Sequence, residues 1–354
     1  MKLEEIALIA GVSKTTASYV INGKAKKYRV SDQTIEKVMS VVKEHDYQPN
    51  AVAAGLRAGK THTIGIIIPD LENISYTRIA NYLEQLIRKE GYQVLLSCSE
   101  DDPKIEKECV KHLQQRQVDA LVISSSFVSA KDYVFYDDWQ NTKIPLFALD
   151  RILSSTKFRN IVGADKQDSK TLAQAFNDVV HGSMVYLGAL PNLSVSQLRL
   201  DGFNDIRLNH CNHDNENKID FLYATNYSRH DADIAFSQWL EDHDLPDGIF
   251  TTSFSLLQGT IDAILRKFGH LPETLTIATF GDNELLDFLP CKVISLCQDH
   301  KEVAKMTIKM LLNCLKNENY QPGTTVIPRR LIYRGSLSRD RTLMKKDHFN
   351  KIFC

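Results

Sequence analysis

The chain has 354 residues, past the size at which one hydrophobic core usually stops growing, so two or three domains are expected. With 43% hydrophobic, 8% aromatic and 25% charged residues and no long like-charge or low-complexity run, wholesale disorder is excluded. The net charge of -1 excludes a chain basic throughout, and no apolar stretch is long enough to span a bilayer.

The head is nevertheless basic. Up to His62 there are ten Lys and Arg against six Asp and Glu, which suggests a polyanion partner for this part alone. Leu3, Ile6, Ala7 and Ala10 share one face of a short helix that Gly11 ends. Ser13 is a good N-cap for a second helix with Ala17, Val20 and Ile21 inward, stopped by Asn22-Gly23. Two helices joined so tightly read as helix-turn-helix. Ser31 caps a third helix with Ile35, Val38, Met39 and Val42 inward. The second helix turns Lys14, Thr15, Ser18 and Tyr19 outward, polar groups suited to base edges in a major groove. An ordinary solvated helix face is the alternative. Against it stand the Gly-x-Ser turn and the basic stretch Lys24 to Arg29, which is placed to meet phosphates.

Pro49 breaks the third helix and Asn50 can cap a new one of about two turns before Gly59. So short a helix orders only when something packs against it. Its Ala-rich make-up, with Leu56 beside Arg57, is what minor-groove insertion and kinking require, whereas a plain linker would have no need of such a wedge.

Glu4-Ile6-Ala7, Ala10-Gly11-Val12-Ser13, Thr16-Ala17-Ser18 and Val20-Ile21-Asn22, followed by Pro49-Asn50-Ala51-Val52-Ala53 and Leu56, resemble the LacI family of transcription regulators over nearly the whole chain. Tyr28-Arg29-Val30-Ser31-Asp32 and the run from Ala53 to Gly59 are most similar to its fructose-responsive branch. The resemblance implies that Lys14, Thr15, Thr16, Ser18, Tyr19, Asn22, Tyr28, Arg29, Asn50, Ala53, Leu56 and Arg57 meet operator DNA. It implies a homodimer or tetramer reading a near-palindromic operator, since one head offers too few contacts for tight specific binding.

From Thr63 strands and helices alternate: strands Thr63 to Ile68, Tyr92 to Cys98, Val118 to Ser124 and Ile144 to Leu149, with helices after Ser75 and Pro103. A second series runs through Met184 to Leu187, Ile219 to Tyr223, Gly248 to Thr251, Leu275 to Phe280 and Val293 to Leu296. The expected fold is therefore an all-α helix-turn-helix head plus an α/β effector domain of two parallel-sheet lobes, similar to periplasmic binding proteins. The expected boundaries are 1–48 for the head, 49–61 for the hinge helix, 62–338 for the lobes and 339–354 for a tail with no sustained heptad.

Ligands in such sheets bind beyond the carboxyl ends of strands, so a cleft between the lobes is the expected pocket. The polar residues just after strands are its candidates: Asn73, Ser75, Ser124 to Ser126, Asp150, Arg151, Asp165, Ser194, Ser196, Ser253 and Asp282 with Asn283, and Arg199 one turn into a helix. Each alone is more often a cap or loop residue. Carboxylates accept from sugar hydroxyls, while Arg151 and Arg199 are forked donors that can also hold a phosphate. By resemblance, Arg199 and Asp282 clasp the effector. Ser253-Phe254 stands where the family usually has Asn-Asp, a departure shared with the fructose-responsive branch, which implies a phosphorylated sugar, notably fructose 1-phosphate. An unphosphorylated sugar or a nucleobase is the alternative effector.

An enzyme is disfavoured, since there is no Gly-x-Gly-x-x-Gly, Walker loop or Gly-x-Ser-x-Gly elbow. His210-Cys211-Asn212-His213-Asp214 reads as a solvated loop rather than a metal site. No cofactor and no metal are expected. Seven scattered cysteines without a Cys-x-x-Cys pair suit reduced thiols, and Met1 to Ala10 lacks the features of an export signal, so a cytoplasmic protein is expected rather than an exported solute receptor.

Overall fold

The computed structural model describes residues 1–47, 60–128, 130–137, 139–210, 218–317 and 319–335. The chain divides into two units, Met1–Thr61 and His62–Cys354. The hinge positions Asn50, Ala53, Leu56 and Arg57, the loop 211–217 and the tail 339–354 lie outside the described residues.

The first unit is three helices: α1 (Leu3–Ile9), α2 (Lys14–Ile21) and α3 (Asp32–Glu44). Ser13 Oγ accepts the Thr16 amide at 3.1 Å and Ser31 Oγ that of Thr34 at 3.3 Å, so both serines satisfy otherwise orphan donors at helix starts. Gly11, at φ +66°, makes the left-handed turn between α1 and α2. Ile6, Ala7, Ala10, Ala17, Val20, Ala25, Val38 and Val41 form the core. Met39 does not face it: the buried positions of α3 are Val38 and Val41, flanked by half-buried Ile35 and Val42, and Met39 sits on the flank of that stripe, 45% exposed.

The second unit contains β1 (Thr63–Ile68), α4 (Ile74–Lys89), β2 (Gln93–Cys98), α5 (Pro103–Gln115), β3 (Ala120–Ile123), α6 (Ala130–Tyr133), β4 (Leu146–Leu149) and β5 (Arg159–Val162). It continues through α7 (Asp165–Asn177), β6 (Met184–Ala189), α8 (Ser194–His210), β7 (Ile219–Ala224), α9 (Arg229–Asp242), β8 (Gly248–Thr251), α10 (Phe254–Phe268), β9 (Thr276–Phe280) and β10 (Lys292–Cys297). Then come α11 (His300–Asn317), β11 (Gly323–Val326) and β12 (Arg330–Arg334). One sheet has the order β11-β5-β4-β3-β1-β2 and the other β12-β10-β9-β8-β6-β7, parallel except for the β10–β12 pair. The strands are apolar runs because helices cover both faces of each sheet, as β1 (Ile64, Ile66, Ile67 and Ile68, all buried) illustrates.

The chain passes between the lobes after β5, after β10 and again after β11, so the lobes are interleaved in sequence. Strands β5, β11 and β12 do not stand out in the sequence pattern. They are short, and β11 and β12 lie at sheet edges where half-exposed residues replace the apolar run.

Helices α7 and α8 pack at the closeness that Gly202 allows, since a methyl group there would overlap the Lys166 carbonyl. Gly202→Ala should therefore cost about 1–3 kcal/mol through forced separation of the two helices. The check is thermal unfolding of the purified variant, for which the expected result is a midpoint several degrees lower, about 2 °C or more for each kcal/mol. An unchanged midpoint would show that the helices have room to part.

Candidate functional site

In the head, Lys14 and Thr15 stand exposed at the start of α2. Lys14 Nζ lies 2.5 Å from a Glu4 carboxylate oxygen, which keeps that carboxyl below its usual range. Thr16 shares a hydrogen bond with the Ser13 cap, and Asn22 Nδ2 donates to the Ser18 carbonyl at 2.7 Å and to its hydroxyl at 3.1 Å. Tyr19 stacks on Tyr28 with ring centroids 3.7 Å apart and planes 6° from parallel, and Lys27 Nζ lies 5.9 Å from the Tyr28 ring. Arg29 follows with φ at +54°, a left-handed turn closing the basic stretch. Tyr19 and Tyr28, one on α2 and one on the following loop, are thus held together by an aromatic stack.

In the second unit a cleft of about 670 Å³, open mouth included, lies between the lobes at the carboxyl ends of their strands. Asn73, Ser75, Asp150, Arg151, Arg199 and Ser253 line it, together with Asp70, Tyr76, Asp101, Tyr227, Phe254, Phe280, Gln298 and Arg329. Asn73 caps α4 by accepting from the Ser75 amide at 3.1 Å, and Ser253 caps α10 by accepting from the Leu256 amide at 3.1 Å, so both combine a capping role with a place on the wall.

Three guanidinium groups converge here. Arg199 places Nε and Nη2 each 2.8 Å from Asp165 and donates from Nη1 to the Thr252 carbonyl at 2.7 Å. Arg329 sits 2.9 Å from Asp168, 3.3 Å from Asp165 and 3.7 Å from Asp150. Both lie over the Phe280 ring, at 4.4 and 5.5 Å from its centroid. Arg151 pairs with Asp101 and donates to the Ser125 carbonyl at 3.1 Å, while its Nε is buried with no partner among the described residues. Tyr76 donates to Asp150 at 2.9 Å and accepts from Ser124 at 3.1 Å.

Burial works against charge on Arg199, but Asp165, Tyr227 and Asp150 together outweigh it, so the guanidinium is held more firmly protonated than usual. Burial likewise opposes ionisation of Asp165, but Arg329 and Arg199 keep its carboxyl below the ordinary range. Asp168 goes the other way, raised by burial beyond what Arg329 compensates. Burial, then the nearby charges of Arg78 and Arg329, push His300 at the start of α11 down to about 4. Chemically the arrangement is a set of forked cations held in place by carboxylates, with hydroxyl and amide groups around them: a site for a polar ligand carrying an oxyanion.

Eight expected residues do not line this cleft: Ser124, Ser125, Ser126, Asp165, Ser194, Ser196, Asp282 and Asn283. Ser194 begins α8 but is absent from the wall. Ser196 Oγ donates to the Ala189 carbonyl at 2.8 Å and bonds the Tyr227 hydroxyl at 2.7 Å, so it supports a wall residue. The Asp282 carboxylate is taken by Ser295 at 2.6 Å and Arg334 at 2.7 Å. Arg334 belongs to β12, a strand absent from the sequence pattern. Missing the β11 to β12 crossover also hid Arg329. Asp101, by contrast, follows β2 and was within reach of the rule that found the others. Among the described residues no cluster suited to a metal ion occurs, and no helix is long and apolar enough to cross a membrane.

Comparison with known proteins accords with this geometry. A family described as bacterial regulatory proteins, lacI family, matches residues 2–50, and a periplasmic binding protein-like domain matches residues 173–337. The catabolite repressor/activator of Escherichia coli K12 is 54% identical over 96% of this chain and all of its own length. The chain belongs to the LacI family. Among its relatives, the fructose operon regulatory protein of Vibrio cholerae is 41% identical over 94% of the chain and its own full length. The Cra transcriptional dual regulator of Pseudomonas putida, solved in complex with fructose 1-phosphate, is 32% identical with a TM-score of 0.70, covering 77% of this chain and 98% of its own. This LacI-family chain is thus a regulatory protein whose head and two-lobed domain both have counterparts of known type.

Buried His300 makes a pH prediction. Its folded-state value near 4 lies below the ordinary 6.5, so the unfolded chain takes up a proton that the folded one refuses. That stability is full above pH 6.5 and falls as pH drops toward 4. Between pH 7 and pH 5 the loss should be about 2 kcal/mol. Urea unfolding of wild type and His300→Gln at the two pH values checks it: the variant should lose less by about that amount, and equal slopes would contradict the assignment.

Proposed function

We propose that the chain is a sequence-specific DNA-binding regulator of carbon metabolism, released from its operators by a phosphorylated sugar, with fructose 1-phosphate the favoured effector. It binds and does not catalyse, and it acts in the cytoplasm. The observation that carries the reading is the convergence of Arg151, Arg199 and Arg329 on one cleft beside Asp150 and Asp101. Forked cations suit a phosphate, and the carboxylates suit sugar hydroxyls. The P. putida relative solved with fructose 1-phosphate supports the same ligand class. Asn73, Ser75 and Ser253 complete the proposed contacts, while Ser196 and Asp282 act from behind the wall.

On the DNA side, Lys14, Thr15 and Tyr19 read bases, with Thr16, Ser18, Asn22, Tyr28 and Arg29 fixing register and phosphate contacts. Two such heads in a homodimer match a two-fold operator, and Asn50, Ala53, Leu56 and Arg57 form a hinge helix that orders on bent DNA. Effector binding changes the angle between the lobes, parts the two hinge segments and melts them, provided the ligand prefers the released conformation.

A gel-shift titration tests the effector. Fructose 1-phosphate should release wild type from its operator and free fructose should not. Arg199→Ala should need at least about tenfold more effector, because a lost charge-assisted hydrogen bond is worth about 1.5–3 kcal/mol. Release by free fructose at the same concentration would favour the unphosphorylated alternative. Separately, Leu56→Ala should reduce DNA bending and weaken specific binding by a few kcal/mol, about the energy tied to unstacking a base step. Bending equal to wild type in a circular-permutation assay would remove the wedge.

A further inference from the structure

The effector cleft lies at the carboxyl ends of the strands, but a second recess opens at the opposite ends. It is about 410 Å³, mouth included, and sits where β5 and β11 begin beside the last turns of α11. Its walls hold Arg159, Met310, Asn313, Asn319, Tyr320 and Gln321 and, among the described residues, no carboxylate. Arg159 is the first residue of β5 and half-buried. Its Nε points at the Met310 sulfur, 3.2 Å away, and its Nη2 donates to Thr325 Oγ1 at 3.1 Å. A thioether is a weak acceptor, so this cation's strongest demand, an anionic oxygen, is unmet by the described residues around it.

The neighbouring amides point to the same chemistry. Asn313 Oδ1 accepts from Asn317 Nδ2 at 2.7 Å, which leaves the Asn313 amide nitrogen for another acceptor, and Asn319 and Gln321 bring further amide donors to the exposed rim. Tyr320 ties the floor together: its hydroxyl accepts the Arg159 amide at 2.9 Å and donates to the Leu146 carbonyl at 2.5 Å. We propose that this recess is a second anion site, independent of the effector cleft, that takes a phosphate group, either free or on a small monoester. An occupant bridging Arg159 and the 319–321 loop clamps the start of β11 against β5, and β11 leads within a few residues to Arg329.

Calorimetric titration of the full-length protein tests this, with inorganic phosphate and glycerol 3-phosphate as separate probes. Wild type should show two phases. Arg159→Gln should weaken one of them at least about tenfold and leave the other, while Arg199→Gln should do the reverse. Gln321→Glu keeps Arg159 and supplies a carboxylate inside the recess, so it should fold as wild type and lose the same phase as Arg159→Gln. A phase shared by both probes assigns a phosphomonoester site, and one confined to inorganic phosphate assigns free phosphate. A single phase abolished by Arg199→Gln, or titrations unchanged by both Arg159→Gln and Gln321→Glu, would overturn the proposal.

Discussion

One buried charge cluster ties the lobes of the second unit together, in which Arg329 reaches Asp168, Asp165 and Asp150 while Arg199 shares Asp165. Asp150 follows a strand of the first lobe, Asp165 and Asp168 open a helix of the second, and Arg329 lies on the segment crossing between them. Taking these charges out of water is costly, and mutual attraction in the interior repays it only with good geometry. Gly163 belongs to the same arrangement, because a side chain there would occupy the place of the Arg329 guanidinium. Such a cluster adds little net stability, yet it fixes how the lobes meet and where cations face the cleft.

That dual role explains why the site was only partly legible in the sequence. The rule that polar residues after parallel strands line a ligand cleft found Asn73, Ser75, Asp150, Arg151 and Ser253, because strand ends at β1, β4 and β8 are marked by strong apolar runs. It missed Arg329 because the preceding strand is a half-exposed edge of four residues, whose pattern is no different from a loop. Asp282 is a different case. Its address after β9 is right, but a second edge strand brings Arg334 against it and spends the carboxylate on structure. Local sequence marks where a side chain starts, while long-range pairing decides what it meets.

The head was more readable, because a three-helix core within residues 1–47 is specified by caps and apolar helix faces. Ser13 and Ser31 cap the expected helices, and Gly11 turns where expected. The stack of Tyr19 on Tyr28 was not foreseeable from periodicity, since it joins a helix to a loop nine residues later. It gives this surface some rigidity without burial, which lowers the entropy lost in the proposed DNA contact.

The central claim is that three guanidinium groups hold the effector through a phosphate dianion. The most direct test is a ³¹P NMR pH titration of fructose 1-phosphate bound to the full-length protein. Free phosphomonoesters take up their second proton near pH 6, at about the value seen for phosphorylated side chains. Bound among Arg151, Arg199 and Arg329, the phosphate should stay dianionic well below that pH until the protein itself unfolds. A bound resonance that titrates together with the free ligand would contradict the account, because it would place the phosphate in solvent and away from the three arginines.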